Sequence, residues 1–410
     1  MNVPTVRPTS ASVRQYARRV DAAVSTARFC TTENVVPPSY GEGMNDSVVA
    51  AMDTMLLPGA DPLRVSAACE AVIAWAHARQ LEAIHEVDEQ SPEFFDNTGV
   101  LVEPAAAEIG CALHWSAGAA SRRVDLAATI CTDLPELLTA LRDGRLDLAK
   151  AEEITRGTSE LELSDRTTLA ESAIEYAGSH TRAQLRAWLA RQVAATDPEA
   201  VRRRRKKALR ARRVWIQPEP DGMATIGAYL SAEEAQACWN ALTAGASNID
   251  GAVDPARADV FVALLTGLTV GEPVPVQVIL TGSGPELSGH GAISRSHSAE
   301  LCKGTDLIDL TRPPKPSTGY RPAPTLARWV RARDRHCRFP GCRRPAVMCD
   351  LDHVIPHPSG PTEHTNLAAL CRYHHRLKTH TPWSVQMLDG AVLRWTSPRG
   401  HVFHTSLDDP

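Results

Sequence analysis

The chain has 410 residues, of which 43% are hydrophobic and 22% charged, and its formal net charge is −4. This composition is typical of a soluble globular protein, and the length predicts at least two domains. The N-terminus lacks the apolar core of a secretory signal, and no apolar run is long enough to cross a bilayer. An integral membrane protein is therefore excluded, and we expect a cytoplasmic protein without disulfides.

The N-terminal half of the chain predicts a helical array. Residues 1–60 mix Pro, Ser, Thr and Gly with apolar patches and predict one helix, at 13–27. Asp61-Pro62 is a typical helix start, and apolar residues then recur at helical spacing to about residue 87. Capping residues and turns begin six further predicted helices, at 103–116, 121–129, 134–142, 148–155, 164–176 and 181–196. Short connections between them predict antiparallel packing.

An arginine-rich run follows this array. Residues 202–213 contain nine basic side chains and no acidic one. Such a run is either a phosphate-binding strip or a solvated helix face. The sequence then predicts a β-hairpin, two helices and a strand, at 214–230, 232–243, 255–268 and 274–280. We therefore predict a mainly helical domain with a small β-hairpin at 61–283.

The C-terminal part of the chain differs in charge and composition. Residues 284–324 are rich in Gly, Ser and Pro and predict a linker, and the five prolines at 313–324 make its last part stiff and extended. Residues 321–380 carry eleven Arg or Lys against four acidic residues, a local charge of +7 (11 − 4). This asymmetry is typical of a region that binds a polyanion. A helix at 325–334 and a hairpin around Asp389-Gly390 complete a predicted α+β domain at 325–405.

Soft metal ligands are concentrated in this domain. Cys337 and Cys342 flank a Phe-Pro-Gly turn, and Cys371 and His374 are three residues apart on a predicted helix, so they share one face. Three thiolates and one imidazole form the closed tetrahedral shell of a structural zinc site. His375 lies four residues after Cys371 and is the alternative fourth ligand.

A second group of polar residues lies between the two halves of this cluster. The predicted strand CDLDHVIP contains Asp352-His353, a Pro/Gly-rich loop follows, and Asn366 is placed at the start of the predicted helix that carries His375. Their order resembles the D-H…N…H motif of HNH endonucleases, the ββα-metal nucleases, in the version with a zinc knuckle. The first knuckle pair departs from the common C-x2-C spacing, and His374 stands where the last Cys usually is.

Longer runs are similar to one bacterial branch of this family. CRFPGC, DLDHVIP, GPTEHTNLAALC and HHRLKT look like the thirteen-E-twelve repeat type, which joins a large helical domain of unknown function to a C-terminal HNH domain. The resemblance implies a mainly α N-terminal domain, a C-terminal ββα-metal domain and hydrolysis of DNA phosphodiester bonds.

The resemblance also implies roles for individual side chains. His353 is the expected general base, since an unperturbed imidazole has a pKa of about 6.5. Asp352 and His375 are expected to hold a catalytic divalent ion, Mg²⁺, Mn²⁺ or a softer metal, since a carboxylate and an imidazole do not select strongly. Asn366 either completes that shell or hydrogen-bonds the loop that orients His353. Because Asp352 and His353 are adjacent in a strand, we expect the pleat to break just before Pro356.

Basic side chains around the motif are expected to contact the DNA backbone, which positions DNA without reading its sequence. They are Arg338, Arg343, Arg344, Arg372, Arg376 and Lys378. The alternative function is a zinc-stabilised module that binds DNA without cutting it. Binding alone needs none of the four motif residues, so their joint presence favours the endonuclease.

Overall fold

A computed structural model of the chain describes residues 46–56, 58–247, 249, 251–269, 272, 278–281, 284–303, 310 and 312–407. The helix predicted at 13–27 lies outside the described residues, as does most of the predicted N-terminal segment. The described part is mainly helical with small antiparallel sheets, as the sequence predicted at this level. No helix in it is long and apolar enough to span a bilayer.

The chain divides into two compact units, 1–79 with 139–148 and 80–138 with 149–410. The first unit contains α1, Asp46–Leu56, and the N-terminal part of α2, Pro62–Glu89. The chain returns to this unit through Gly144, whose φ is +68°, and a Cβ there would lie 2.7 Å from the Cβ of Ala71. Glycine therefore permits both the turn and the close packing on α2. The domain limits proposed from sequence stay predictions.

The predicted helical array is present. Between residues 104 and 210 the helices are α3 Pro104–Leu113, α4 Ala117–Ala128, α5 Pro135–Arg142, α6 Leu148–Thr158, α7 Leu163–Ala177, α8 Arg182–Thr196 and α9 Pro198–Arg210. Polar caps explain several boundaries: Thr181 and Gln184 form a capping box at the start of α8, and the Asp197 carboxylate accepts from the amide of Glu199 to begin α9. Gly157 lets α6 approach α8, since a Cβ there would lie 3.1 Å from Leu189.

The predicted hairpin is confirmed. β3, Arg213–Pro218, pairs antiparallel with β4, Ala224–Tyr229, and Ile216 is opposite Ile226. Helices α10, Ala232–Ala246, and α11, Val253–Thr266, follow close to their predicted positions. β5, Val278–Thr281, overlaps the end of the strand predicted at 274–280, and residues 274–277 lie outside the described residues.

The segment predicted as a linker, 284–324, contains regular structure in its first part. β6, Gly284–Leu287, pairs with both β5 and β7, Gly291–Ala292, and α12 follows at Arg295–Leu301. The linker prediction is therefore wrong for residues 284–301. The glycines that suggested it serve tight turns, since Gly289 and Gly291 have φ of +84° and +120°.

The C-terminal region forms the predicted ββα unit. It follows α13, Pro324–Asp334, and consists of β8, Asp350–His353, antiparallel to β9, Leu367–Leu370, and then α14, Arg372–His380. The last helix was predicted to begin at Asn366. It begins six residues later, because residues 367–370 are all buried apolar side chains that continue as a strand.

A three-stranded sheet completes this region. The predicted hairpin is confirmed as β10, Ser384–Met387, and β11, Leu393–Thr396, and the sheet gains β12, Val402–Thr405. Trp395 on β11 is fully buried, and its indole N–H donates to the carbonyl of Arg338 at 2.9 Å. A short strand pair, β1 at Phe94–Phe95 and β2 at Leu101–Val102, lies before α3. The apolar core around Trp395 also contains Val102 from β2 and Ala107 and Cys111 from α3.

Candidate functional site

The Cys/His cluster consists of Cys337, Cys342, Cys371 and His374. The potential ligand atoms of these four side chains all lie within 4.8 Å of one another. A tight turn brings the first two together, since the amide of Cys342 donates to the carbonyl of Phe339 at 3.1 Å. Cys371 is the N-cap residue of α14, and its Sγ lies 3.2 Å from Nδ1 of His374 in the first turn. The spacing in sequence therefore becomes a single cluster.

The surroundings of the cluster are closed and largely apolar. Cys337, Cys371 and His374 are buried, and the ring of Phe339 stacks on His374 with centroids 3.9 Å apart. Hydrogen bonds from the Cys337 and Cys342 thiols lower the pKa of Cys371 far below its usual value, whereas burial raises the pKa of Cys337. Three sulfur atoms and one imidazole nitrogen are the donor set of a closed zinc site. The cluster could hold a metal ion.

The geometry separates His374 from His375. His374 belongs to the Cys/His cluster, whereas His375 faces two carboxylates on β8. Its Nδ1 lies 2.9 Å from Oδ2 of Asp350, and its Nε2 lies 3.4 Å from Oδ1 of Asp352. The two ligand alternatives left by the sequence are therefore distinguished by position: His374 joins the thiols and His375 joins the carboxylates.

Asp352 is a partly buried carboxylate that lies between Lys378 and His375. Its side chain is 11% exposed, and Oδ2 lies 2.7 Å from Nζ of Lys378, which also donates to the carbonyl of His353 at 2.6 Å. Burial opposes ionisation of Asp352, but His375 and Lys378 outweigh it and hold the pKa below its usual value. Burial also opposes charge on His375, yet the hydrogen bond to Asp352 and the nearby Asp350 raise its pKa.

His353 ends β8 and is buried. Its Nε2 lies 2.8 Å from the hydroxyl of Thr362, and its ring stacks with Tyr320 at a centroid distance of 5.3 Å. Burial lowers the pKa of His353 even though the charge of Asp352 acts in the opposite direction. The imidazole is therefore neutral at neutral pH. β8 pairs with β9 in regular register through His353, so Asp352 and His353 both precede the position just before Pro356 where a break in the pleat was predicted.

Asn366 closes the loop between β8 and β9. Its Oδ1 accepts from the amide of Ile355 at 2.8 Å, and its Nδ2 donates to the carbonyls of Ile355 and Pro361, each at 2.9 Å. Gly360 is required there, because a Cβ would lie 2.5 Å from Nδ2 of Asn366. The sequence left two roles for Asn366, completing the metal shell or hydrogen-bonding the loop that orients His353. The observed hydrogen bonds are to the loop that follows His353.

The basic residues predicted to contact DNA are not equivalent. Arg338 is buried, and its guanidinium donates to Asp334 and to the carbonyls of Ala391 and Thr405. The prediction that it contacts the DNA backbone is therefore wrong, because its donors join α13 to the C-terminal sheet. Arg376 forms an ion pair with Asp96, with 2.8 Å between Nε and Oδ2.

The other predicted DNA contacts remain predictions. Arg343 and Arg344 are exposed, and so is Arg372, whose side chain is 76% exposed and lies 3.2 Å from Asp350. Lys378 differs from them because its side chain is only 11% exposed and is held by Asp352. A DNA backbone would reach Lys378 only at the candidate site.

Sequence reasoning missed Asp350. This residue lies two positions before Asp352 in β8, and alternate residues of a strand share one face. The signal was the D-x-D pattern, which predicts two neighbouring carboxylates once the strand is recognised. His375 accordingly lies within 3.4 Å of both.

Comparisons with known proteins give similarity over parts of the chain. The uncharacterized protein Rv3776 of Mycobacterium tuberculosis is 45% identical over 127 residues, which are 30% of this chain and 24% of that protein. The uncharacterized protein Rv2100 of the same species is 44% identical over 136 residues, 32% of this chain and 23% of that protein. The matched part thus spans about a quarter of the length of these relatives.

No solved structure matches the chain. No HNH family model matches it either. Residues 63–260, which contain the helical array, the arginine-rich run and the β3–β4 hairpin, match the model of the family described as "Domain of unknown function (DUF222)".

Proposed function

We propose that the chain is a metal-dependent endonuclease that hydrolyses DNA phosphodiester bonds at Asp352, His353 and His375. The observation that carries the proposal is the 3.4 Å approach of His375 Nε2 to Asp352 Oδ1, with the buried His353 adjacent to Asp352 in β8. The match at residues 63–260 supports it, because this family often lies N-terminal to HNH domains.

Two different ion sites fit the residues present. The thiols and imidazole of the Cys/His cluster suit a structural Zn²⁺, which would hold the ββα unit closed. Asp352 and His375 offer a carboxylate oxygen and an imidazole nitrogen, a pair that selects weakly among divalent ions and would take Mg²⁺, Mn²⁺ or a softer metal. When bound, that ion would supply positive charge beside the scissile phosphate.

His353 is the proposed general base. If its Nε2–H donates to the hydroxyl of Thr362, the lone pair on Nδ1 can accept a proton from water. The resulting hydroxide attacks phosphorus, the bond to the 3′ oxygen breaks, and that oxygen leaves with a proton from solvent. The lowered pKa of His353 keeps the base unprotonated at neutral pH.

Three neighbours position these groups. Asp350 hydrogen-bonds Nδ1 of His375, which directs Nε2 toward Asp352. Lys378 holds the other oxygen of Asp352 and the backbone of His353. Asn366 fixes the loop that follows His353 through three hydrogen bonds, to Ile355 and Pro361.

Nicking of supercoiled plasmid DNA tests the proposal. The zinc-loaded full chain is incubated with Mg²⁺ or Mn²⁺, and wild type is compared with His353→Ala. General base catalysis contributes about 10²- to 10⁴-fold, so we expect the nicking rate of the variant to fall by that factor. The matched control is His404→Ala, which removes an exposed imidazole on β12.

The outcomes separate the two functions considered. Cleavage that survives in His353→Ala at the wild-type rate would show that this imidazole is not the base. Wild-type protein that retards DNA with no cleavage under either metal would support the alternative, a zinc-stabilised module that only binds DNA.

A further inference from the structure

A cleft in the region of unknown function carries an excess of arginines. It lies between α6, α8 and α9, has a volume of about 400 Å³, and its polar lining residues are Glu153, Arg156, Arg186 and Arg204. All four belong to the residues that match the family model. The candidate nuclease site uses none of them.

Glu153 is the centre of this arrangement. Its side chain is 4% exposed, and Arg186 binds it with both Nε and Nη2, at 2.9 and 2.8 Å. Arg156 and Arg182 reach Oε2 of the same carboxylate at 2.5 and 3.1 Å. These hydrogen bonds, that of Arg186 above all, overcome burial and lower the pKa of Glu153 to about 2. The carboxylate is therefore ionised, and three guanidinium groups share its single charge.

The arginines exceed the acids available to them. In the described part of the chain, Glu153 is the one acidic residue within ion-pair distance of Arg156, Arg182 and Arg186. Arg204 donates to the carbonyl of Gly157, and its buried Nε has no hydrogen-bond partner among the described residues. The three guanidinium groups and one carboxylate that line the cleft give it a charge of +2 (3 − 1), and Arg182 adds a further positive charge beside Glu153.

Basic residues of the arginine-rich run, 202–213, pair with acids outside the cleft. Five of its basic residues form ion pairs with acids of the same or neighbouring elements: Arg202, Arg203, Arg205, Lys207 and Arg212. Arg204 instead points from α9 into the cleft. Arg204 is therefore the residue of the run 202–213 that contributes its charge to this cleft.

We propose that this cleft binds a phosphate group of the DNA backbone. Guanidinium groups match phosphate geometry with paired N–H donors, and the exposed fractions of Arg156 and Arg186, 61% and 59%, leave donors open to solvent. A phosphate would balance the positive charge of the arginines that the Glu153 carboxylate does not neutralise. The choice of DNA as the source of the phosphate rests on the proposed function. The inference that the guanidinium groups bind a phosphate is independent of that function.

The test measures DNA affinity of the zinc-loaded full chain without added Mg²⁺ or Mn²⁺, so that no cleavage occurs. The double variant Arg186→Gln/Arg204→Gln is compared with wild type between about 50 and 200 mM salt, a range chosen for its steep effect on phosphate contacts. Each lost phosphate contact is expected to reduce the slope of log K against log salt by about 0.9. The loss should be equal for unrelated sequences.

Matched variants distinguish binding from folding. Arg122→Gln removes an exposed arginine on α4, outside the cleft, and should leave affinity and slope unchanged. Glu153→Gln removes the competing negative charge, so the DNA affinity should rise. A gain of affinity cannot result from unfolding, and circular dichroism checks the fold of each variant.

Every outcome decides the proposal. Unchanged slopes in the double variant, or no gain in Glu153→Gln, overturn it. If the double variant loses binding of inorganic phosphate but keeps the wild-type salt slope for DNA, the cleft binds phosphate from another source. That result overturns DNA as the source. Cleft variants that lose DNA binding support the proposal even if plasmid nicking is never seen, in which case only the nuclease function fails.

Discussion

His374 and His375 are consecutive residues with opposite surroundings. Successive residues of an α-helix are rotated by about 100°, so neighbours on α14 face different groups. His374 is 2% exposed and lies among thiols beneath Phe339. His375 has a 22% exposed side chain and lies between Asp350 and Asp352.

Under the proposed function, one short helix would serve two kinds of chemistry. Around His374 the ligands are soft and solvent is excluded, which suits an ion that holds structure. Around His375 the ligands are carboxylates, a lysine lies nearby and part of the site is open, which suits an ion that meets a substrate. If this division is correct, substitutions on the two sides of α14 will have separable effects.

The largest effect is expected on the thiol side. Cys371→Ser replaces a proposed zinc ligand by a hydroxyl that binds zinc weakly, and we expect zinc content to fall and the C-terminal region to unfold. A structural zinc site contributes folding free energy directly, so the loss should be on the order of several kcal/mol. Metal analysis and thermal melting measure both effects.

Cys349→Ser is the matched control for this prediction. Cys349 is also buried, but its Sγ contacts the carbonyls of Arg344 and Pro345 and it is not one of the four clustered residues. This variant should keep its zinc. Retention of full zinc content by Cys371→Ser would contradict the assignment of the cluster.

A smaller free-energy effect is expected on the carboxylate side. Asp352→Asn removes the charge that pairs with His375 and Lys378, and we expect the rate of plasmid nicking to fall by about 100-fold or more, as for other groups that act in the reaction. Zinc content and the melting temperature should stay close to wild type. If Asp352→Asn also released zinc, the two sides of α14 would not be independent.

Local spacing explains what could be predicted from the sequence. Cys337 and Cys342 flank one turn, and Cys371 and His374 lie in one helical turn, so few backbone torsions separate each pair of ligands. The helices were predictable for the same reason, because caps such as Thr181 act on amides within three residues. The candidate cluster therefore depended on only one long-range event, the meeting of its two halves.

Long-range packing explains what the sequence did not reveal. Arg338 looked like a surface arginine, but Asp334 and carbonyls more than fifty residues away use its donors. Glu153 meets Arg182 and Arg186 across 29 and 33 residues. No local pattern fixes such pairs, because they depend on how helices and sheets pack.

Asp350 offers a sharper test of how His375 is oriented. Asp350→Ala removes the acceptor at Nδ1 of His375, and a lost outer carboxylate typically weakens metal binding by about 10- to 100-fold. We expect this loss in the Mn²⁺ affinity measured by calorimetry on zinc-loaded protein. Asp350→Asn keeps an acceptor oxygen and should restore part of the affinity.

Arg372→Gln is the control for Asp350, since it removes the other partner of that carboxylate and leaves the bond to His375. Its Mn²⁺ affinity should match wild type. Equal affinities in Asp350→Ala and wild type would show that His375 is oriented without this carboxylate.

The smallest expected effect is a pH dependence of stability from His375. Its pKa is raised in the folded protein, chiefly by the hydrogen bond to Asp352. The stabilisation is therefore complete below the unfolded pKa of about 6.5 and is lost as pH rises through the higher folded value. A partly exposed ion pair contributes at most about 1 kcal/mol.

Urea unfolding from about pH 5.5 to 9, a range that brackets the unfolded pKa, should show this decline in wild type and a flatter profile in His375→Gln when no Mg²⁺ or Mn²⁺ is added. His404→Gln, on the exposed face of β12, should retain the decline. Identical profiles in wild type and His375→Gln would mean that the carboxylates do not hold this imidazole in its charged form, and the contrast with His374 would then rest on geometry alone.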